Sequence, residues 1–202
     1  MKTITFITRL SRSNIDIQAI YNSIKSNFDS YYWLVYIEKG TIAIPDLLQN
    51  IKNNDDSVII NTDFIRDGNQ DIHFSKAIDE GFNSVYAKNS EWIYVVDDDN
   101  IVHNNLSSVI NKAINVDLII NKVEDKRGVH YLDNPQNLSV NHCVCHVDWA
   151  NGVFSSEFFS KNIKHIITKT RTSDGITVKL FLEHSARVFY SNEIAGYYNF
   201  LR

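Results

Sequence analysis

Three consecutive carboxylates, Asp97, Asp98 and Asp99 (the aspartate motif), follow directly on an apolar run at residues 92–96. A run of this length, rich in Val, Ile and aromatic residues, is typical of a buried β-strand. The adjacent charges repel one another, and burying any of them without a partner is costly. A hard divalent cation, Mn²⁺ or Mg²⁺, is the simplest partner, because it prefers carboxylate oxygens and keeps positions open for substrate phosphates. The alternative is capping of a helix that begins near Leu106, which needs one Asp rather than three.

The segments before the motif must position it, and they alternate between two patterns. Runs of β-branched and aromatic residues predict strands at residues 3–8, 31–37, 57–61 and 92–96. Apolar residues at helical spacing predict helices near 15–28, 45–51 and 74–85, the first capped by Ser13 or Asn14 and the second opened by Pro45. This order predicts an α/β fold with a mostly parallel central sheet, right-handed crossovers and helices on both faces. Ligands of such sheets bind at the carboxyl ends of the strands, where the motif lies.

The second half of the chain is less regular. Its patterns predict helices at 106–114 and 174–184, and strands at 117–120, 142–149, 152–154 and 186–190. No internal repeat or linker-like segment divides the chain, so we expect one domain over residues 1–202. Within it, we expect residues 1–105 to hold a nucleotide and residues 106–202 to shape a second substrate site.

Composition excludes several classes of protein. The 202 residues are 44% hydrophobic and 22% charged, with a net charge of −4, which is typical of an ordinary globular domain. No block of Lys and Arg is long enough to indicate a nucleic-acid partner. No apolar run has the length of a signal-peptide core or a transmembrane segment. We therefore expect a cytoplasmic protein, and leave open peripheral contact with the inner face of a membrane and the formation of a homo-oligomer.

The two cysteines, Cys143 and Cys145, are flanked by His142 and His146. Side chains of a strand alternate between its faces, so the cysteines would point one way and the histidines the other. The spacing also matches no standard zinc pattern. This segment therefore predicts a buried strand with reduced thiols rather than a zinc site.

The sequence resembles the GT-A class of nucleotide-sugar glycosyltransferases. Its apolar strand ending in Asp-Asp-Asp-Asn at residues 97–100 is similar to the pattern of glucuronyltransferase-like and family 2-like enzymes. Residues 32–38 also resemble the second strand of that class, which ends in an acidic residue, and the likeness covers most of residues 3–105. It implies a GT-A fold with a Rossmann-like nucleotide-binding half. It further implies a bound Mn²⁺ or Mg²⁺, a UDP-sugar or related donor, and a hydroxyl acceptor on a glycan or lipid-linked molecule.

The resemblance also implies roles for particular residues. The donor would contact Thr8, Arg9, Glu38, Asp97 and Asp98. Glu38 would accept a hydrogen bond from the uracil N–H, and Asp97 would face the ribose. Asp99, together with Asp97, would bind the metal, and His184 is a candidate for a further ligand.

A catalytic base is required if the reaction inverts the configuration at the anomeric carbon of the sugar. The resemblance implies that Asp174 is this base. This residue follows Thr172 and Ser173 at a predicted helix start, a point similar to that of the base in inverting enzymes of the class. The alternative is that Asp174 only stabilises the helix dipole. A helix N-terminus also lowers a carboxyl pKa, which would weaken a base. Whether the reaction inverts or retains the anomeric configuration stays open.

The stretch at residues 148–154 is a candidate acceptor site. Trp149 would stack on a sugar ring, while Asp148 and Asn151 would bind its hydroxyls. The alternative is that Trp149 packs in the core, as large aromatic side chains usually do.

Two other functions remain open. A nucleotidyltransferase can share this sheet topology, although the segment at 8–13 lacks the glycines of a phosphate-binding loop. A phosphatase is less favoured, because its acidic pair would follow the first strand. The second open function is that of a non-catalytic nucleotide- or sugar-binding module.

Overall fold

The computed structural model describes residues 2–12, 14–39, 43–64, 70–128, 130–132, 138, 140, 147–166, 173–198 and 201. Its strands are β1 (Ile4–Leu10), β2 (Tyr31–Glu38), β3 (Val58–Phe64), β4 (Trp92–Val95), β5 (Ile101–Val102), β6 (Leu118–Asp125), β7 (His130–Tyr131), β8 (Gly152–Ser155) and β9 (Val188–Tyr198). Its helices are α1 (Ile17–Lys25), α2 (Asp46–Asn54), α3 (Gln70–Asn83), α4 (Val85–Lys88), α5 (Leu106–Lys112), α6 (Ser156–Phe158) and α7 (Ser173–Glu183). Among these helices none is long and apolar enough to cross a bilayer.

The strands form one sheet in the order β3-β2-β1-β4-β8-β6-β9-β5, with β7 beside β6. β1 pairs in parallel with β2 and β4, and β2 pairs in parallel with β3. β8 is antiparallel to both β4 and β6, whereas β9 is parallel to β6. β1, β2, β3, β4, β6 and β9 therefore run in one direction. The mostly parallel sheet predicted from the strand–helix alternation is confirmed.

Helices cover both faces of the sheet. Successive strand residues face opposite sides, and apolar side chains on each side pack against helices. Phe6 of β1 and Ile20 of α1 belong to one core. The next strand residue, Ile7, packs with Ile78 of α3 and Phe181 of α7 in the other core. The prediction of two helical layers around a buried sheet is therefore confirmed.

Several predicted boundaries shift in the structure. The N-cap of α1 is Asp16 rather than Ser13 or Asn14, and its carboxylate accepts the Ala19 backbone N–H at 2.9 Å. The cap lies later than predicted because Ile17 is the first apolar residue that the helix buries. Pro45 precedes α2 as predicted. The segment at 141–146, which holds both cysteines, lies outside the described residues.

β1 also continues two residues beyond its predicted end at Thr8. Thr8 is only 1% exposed, and its hydroxyl accepts a 2.9 Å hydrogen bond from the indole N–H of Trp33 on β2. Trp33 is equally buried and stacks on Tyr21 of α1. A buried indole N–H needs an acceptor, so Thr8 holds the first two strands and α1 together.

We expect Thr8→Val to lower the free energy of unfolding by about 1–3 kcal/mol, because it leaves the Trp33 N–H buried without an acceptor. Thr8→Ser, which keeps the hydroxyl, is the matched control and should cost less. Chemical denaturation of both variants and of Thr8→Val in a Trp33→Phe background measures the coupling. Strictly additive effects of the two substitutions would contradict the assigned hydrogen bond.

Candidate functional site

β1, β2 and β4 are parallel neighbours, so their carboxyl ends meet at one edge of the sheet (the carboxyl edge). Ile7 pairs with Val95, the last residue of β4, and Arg9 and Asp97 each lie two residues further along the chain. Their side chains lie 3.9 Å apart, from Arg9 Nη2 to Asp97 Oδ1. Glu38 is the last residue of β2 and therefore lies at the same edge.

The loop after β1 neutralises the two carboxylates that the motif buries. Asp98 and Asp99 are each 3% exposed. The Ser11 backbone N–H and hydroxyl both donate to Asp98 Oδ2, at 2.8 and 2.7 Å. Arg12 Nη1 donates to Asp99 Oδ2 at 3.3 Å, and Arg12 Nη2 lies 3.5 Å from Asp98 Oδ1. Positive charge and N–H donors therefore offset the repulsion within the motif.

Sequence reasoning did not identify Ser11 and Arg12 as site residues. They follow β1 directly, the motif follows β4 after Val96, and β1 and β4 are adjacent. The strand order, rather than the residue types, therefore indicates that Ser11 and Arg12 belong to the site.

Asp97 is the most exposed carboxylate of the motif, with 23% of its side chain accessible. Burial raises its pKa, the charge of Arg9 lowers it, and repulsion by Asp99 and Asp98 raises it again. The result is a pKa above the ordinary range for an aspartate. A cation beside Asp97 would favour its ionised form.

Asp148 and Asp174 approach the motif from the second half of the chain. Asp148 caps a single turn of 3₁₀-helix, and Asp174 lies in the first turn of α7. Burial raises the pKa of Asp148 well above its ordinary value, and the negative charge of Asp97 raises it further. Burial likewise raises the pKa of Asp174 to about 7, opposed by its hydrogen bond from the Gly175 N–H and reinforced by Asp97. Three carboxylates thus share one electrostatic environment at the carboxyl edge.

The turn that carries Asp148 is held by buried hydrogen bonds. The Ala150 carbonyl accepts from the Tyr94 hydroxyl at 2.9 Å and from Asn121 Nδ2 at 3.0 Å. Asn151 Oδ1 accepts the Asp148 backbone N–H at 2.9 Å, and Asn151 Nδ2 donates to the Asn121 carbonyl at 2.8 Å. These hydrogen bonds tie the turn to β4 and β6, and Asp148 is therefore supported from two strands.

The same network corrects two predicted acceptor contacts. Asn151 is fully buried, and both ends of its amide bind the backbone, so it does not present groups to an acceptor. Trp149 is 6% exposed and packs against Phe82 and Phe154, at centroid distances of 6.5 and 6.1 Å. The stacking role predicted for Trp149 is wrong, because the aromatic core covers its ring. Of the predicted acceptor residues, Asp148 lies at the carboxyl edge.

Two further predicted residues lie away from the carboxylates. Thr8 is buried in the sheet and its hydroxyl accepts the Trp33 N–H, so its contact with the donor stays a prediction. His184 is exposed just beyond α7, ten residues after Asp174, which corresponds to about 15 Å along a helix. Its Nδ1 contacts the Leu180 carbonyl at 2.8 Å. The helix therefore carries His184 away from the motif.

The donor set at the carboxyl edge fits a hard divalent cation. Carboxylate oxygens are its preferred ligands, and a cation would offset both the burial and the neighbouring negative charges that raise the pKa of Asp97. Within the described ranges, no group of three or more His, Cys, Asp or Glu side chains is arranged to hold an ion. Mg²⁺ in nucleotide sites needs only one or two carboxylates, because phosphates and water supply the remaining ligands.

Solved structures resemble this chain over nearly its whole length. TarS 1–349 from S. aureus has a TM-score of 0.74 and 13% identity, with 98% of this chain and 60% of that chain covered. TarS 1–349 has also been solved with UDP and with UDP-GlcNAc. The mannosyltransferase PcManGT from Pyrobaculum calidifontis, solved with GDP-Man and Mn²⁺, has a TM-score of 0.66 and 12% identity, with 97% and 56% covered.

A protein described as a glucose-1-phosphate thymidylyltransferase from Bacillus anthracis also matches, with a TM-score of 0.54, 11% identity, and 96% and 87% covered. Comparison of the sequence with family models and with curated proteins gives no match. The structural likeness defines the fold: this chain has the α/β fold of the GT-A glycosyltransferases. The chain spans 60% of the length of TarS 1–349.

We expect Asp148→Asn to raise the melting temperature at pH 8 in EDTA. The pKa of Asp148 is higher in the folded protein than in the unfolded chain. The contribution of Asp148 to stability is therefore fully present below the unfolded-state pKa and is lost as pH rises through the folded-state pKa. Asparagine keeps the acceptor for the Ala150 N–H and removes the buried charge. Each kcal/mol relieved should raise the melting temperature by about 2–4 °C, and the gain should shrink towards pH 4.

Asp117→Asn is the control of opposite sign. The hydrogen bond from Arg187 lowers the pKa of Asp117, so this carboxylate stabilises the fold above its unfolded pKa. Its substitution should therefore lower the melting temperature at pH 8. Calorimetry from pH 4 to pH 8 compares the two variants, and a uniform loss of stability in Asp148→Asn would contradict the assigned burial of charge.

Proposed function

We propose that this protein is a metal-dependent glycosyltransferase that moves a sugar from a nucleoside-diphosphate donor, a UDP-sugar, to a hydroxyl of a glycan or lipid-linked acceptor. The observation that carries the proposal is the position of the aspartate motif beside Arg9 at the carboxyl edge of a GT-A fold, with the charge of Asp97 also acting on Asp148 and Asp174. The solved relatives that contain UDP-GlcNAc or GDP-Man support a nucleotide-sugar donor.

Asp97 and Asp99 are the residues that would hold Mn²⁺ or Mg²⁺. When bound, the ion supplies Lewis-acid stabilisation for the negative charge that develops on the departing diphosphate. Arg9 beside Asp97 adds positive charge on the same side of the site. Glu38, at the end of β2, is the proposed acceptor for the uracil N–H.

Asp174 is the proposed base. As the acceptor oxygen bonds to the anomeric carbon, the bond from that carbon to the diphosphate oxygen breaks, and Asp174 takes the hydroxyl proton. A pKa of about 7 suits this step, since a general base works best near the operating pH. Burial of the carboxyl thus offsets the lowering that a helix N-terminus would cause. Asp148 is the proposed group that orients the acceptor hydroxyl.

Nucleotidyl transfer is a second candidate, supported by the likeness to the thymidylyltransferase. The segment at 8–13 argues against it, because it has no glycine with which to form a phosphate-binding loop. The two reactions differ in their products. Glycosyl transfer releases a nucleoside diphosphate, whereas nucleotidyl transfer releases pyrophosphate.

We expect UDP to bind in Mn²⁺ with an affinity at least about tenfold higher than in EDTA, because the ion links the carboxylates to the diphosphate. Asp99→Asn should abolish the Mn²⁺-dependent part of that affinity. Asp46→Asn, an exposed aspartate of α2, is the matched control and should bind as the parent does. Isothermal titration calorimetry measures the UDP affinity of the parent and of the two variants. Full UDP affinity in EDTA would contradict the metal role.

We expect Asp174→Asn to leave Mn²⁺ and UDP binding unchanged and to reduce transfer by about 10²–10⁴-fold. The parent rate should rise with pH through about 7, as Asp174 loses its proton, and the variant should lack this rise. A panel of nucleotide-sugars supplies the substrate, and release of nucleoside diphosphate together with the anomeric configuration of the sugar product by NMR supplies the readout. Unchanged turnover, or a retained configuration, would exclude Asp174 as the base. Donor binding with no turnover by the parent protein would indicate a non-catalytic module.

A further inference from the structure

Arg12 lies on the solvent side of a buried carboxylate that the proposed function assigns to the metal. The side chain of Asp99 is 5% exposed, whereas that of Arg12 is 36% exposed. The two groups are joined by the 3.3 Å hydrogen bond from Arg12 Nη1 to Asp99 Oδ2. A cation that approaches Asp99 from solvent therefore meets the Arg12 guanidinium first.

Asp98 is anchored by Ser11 as well as by Arg12. Asp98 Oδ2 already accepts two short hydrogen bonds from Ser11, and the Arg12 contact to its other oxygen is longer, at 3.5 Å. The backbone of Asp99 is fixed separately, because its carbonyl accepts the Leu201 N–H at 3.0 Å. Removal of the guanidinium would therefore leave the position of the motif supported.

Arg12 also borders open space. It lines a groove of about 430 Å³ together with Asn14, Ile15 and Leu201. A long, partly exposed arginine can move within such a groove while its loop stays anchored through Ser11. Arginine binds phosphate oxygens as readily as carboxylates, since its planar donors match both.

We propose that Arg12 is a resident counter-ion of Asp99 that competes with the divalent cation in the free protein and transfers to the diphosphate when the donor binds. This inference rests on the proposed function, because it assigns Asp99 to the metal. It implies that metal and donor bind cooperatively, since each is favoured when Arg12 has left Asp99. By linkage, the factor by which UDP tightens Mn²⁺ binding equals the factor by which Mn²⁺ tightens UDP binding.

The test measures Mn²⁺ binding by electron paramagnetic resonance, with and without UDP and with correction for the Mn²⁺–UDP complex in solution. Arg12→Gln should tighten Mn²⁺ binding without UDP by about tenfold, because a positive charge near the ion is removed. The factor by which UDP tightens Mn²⁺ binding should fall by a similar amount. Arg12→Lys keeps the charge without the planar fork and should lie between the two.

Arg187→Gln is the matched control, because Arg187 forms an equally direct pair with Asp117 at the opposite edge of the sheet. It should leave both Mn²⁺ affinities unchanged. Unchanged or weaker Mn²⁺ binding by both Arg12→Gln and Arg12→Lys would overturn the counter-ion role. If the parent protein instead binds no Mn²⁺, or Asp99→Asn binds it as well as the parent does, the proposed metal site itself fails.

Discussion

The parallel pairing of β1 with β4 is the constraint on which the site depends. It brings the loop after β1 to the same edge as the aspartate motif, so Ser11 and Arg12 can donate to carboxylates 87 residues away. Those donors offset part of the cost of burying the charges of Asp98 and Asp99. With them, Asp97 remains the exposed member of the motif, beside Arg9.

The second constraint is the crowding of negative charge. Asp148 and Asp174 are partly exposed, and burial together with the charge of Asp97 raises the pKa of each. The fold tolerates it because the turn at Asp148 is fixed from below by Tyr94 and Asn121. Groups of this kind, held rigidly in an unfavourable ionisation environment, are typical of sites that bind cations or move protons.

Much of the fold could be predicted from the sequence. The strands and helices before the motif have strong periodicity, and their alternation dictates a parallel sheet with the motif at its carboxyl edge. Pairing with β8 and β9 is less predictable, because short strands and crossovers in the second half depend on contacts distant in sequence. Strand order, in particular, determined that Ser11 and Arg12 belong to the site.

The direction of individual side chains was the main limit on predicting the site. Thr8 lies two residues before the end of β1 and therefore faces Trp33 inside the sheet rather than the edge. In the single turn after Asp148, neighbouring residues have opposite fates: Asp148 lies at the site, whereas Trp149 enters the aromatic core. A turn of three residues has no periodicity from which such a difference could be derived.

The sequence separation between Ser11 and Asp98 also bears on how the site forms. During synthesis the residues of β1, β2 and β3 are made before the motif, and contacts of long sequence separation form slowly. Arg12 and Ser11 must therefore wait, without their carboxylates, until β4 inserts beside β1. The site is thus complete only once β4 has paired with β1, in contrast to small zinc domains, in which the metal itself organises the chain.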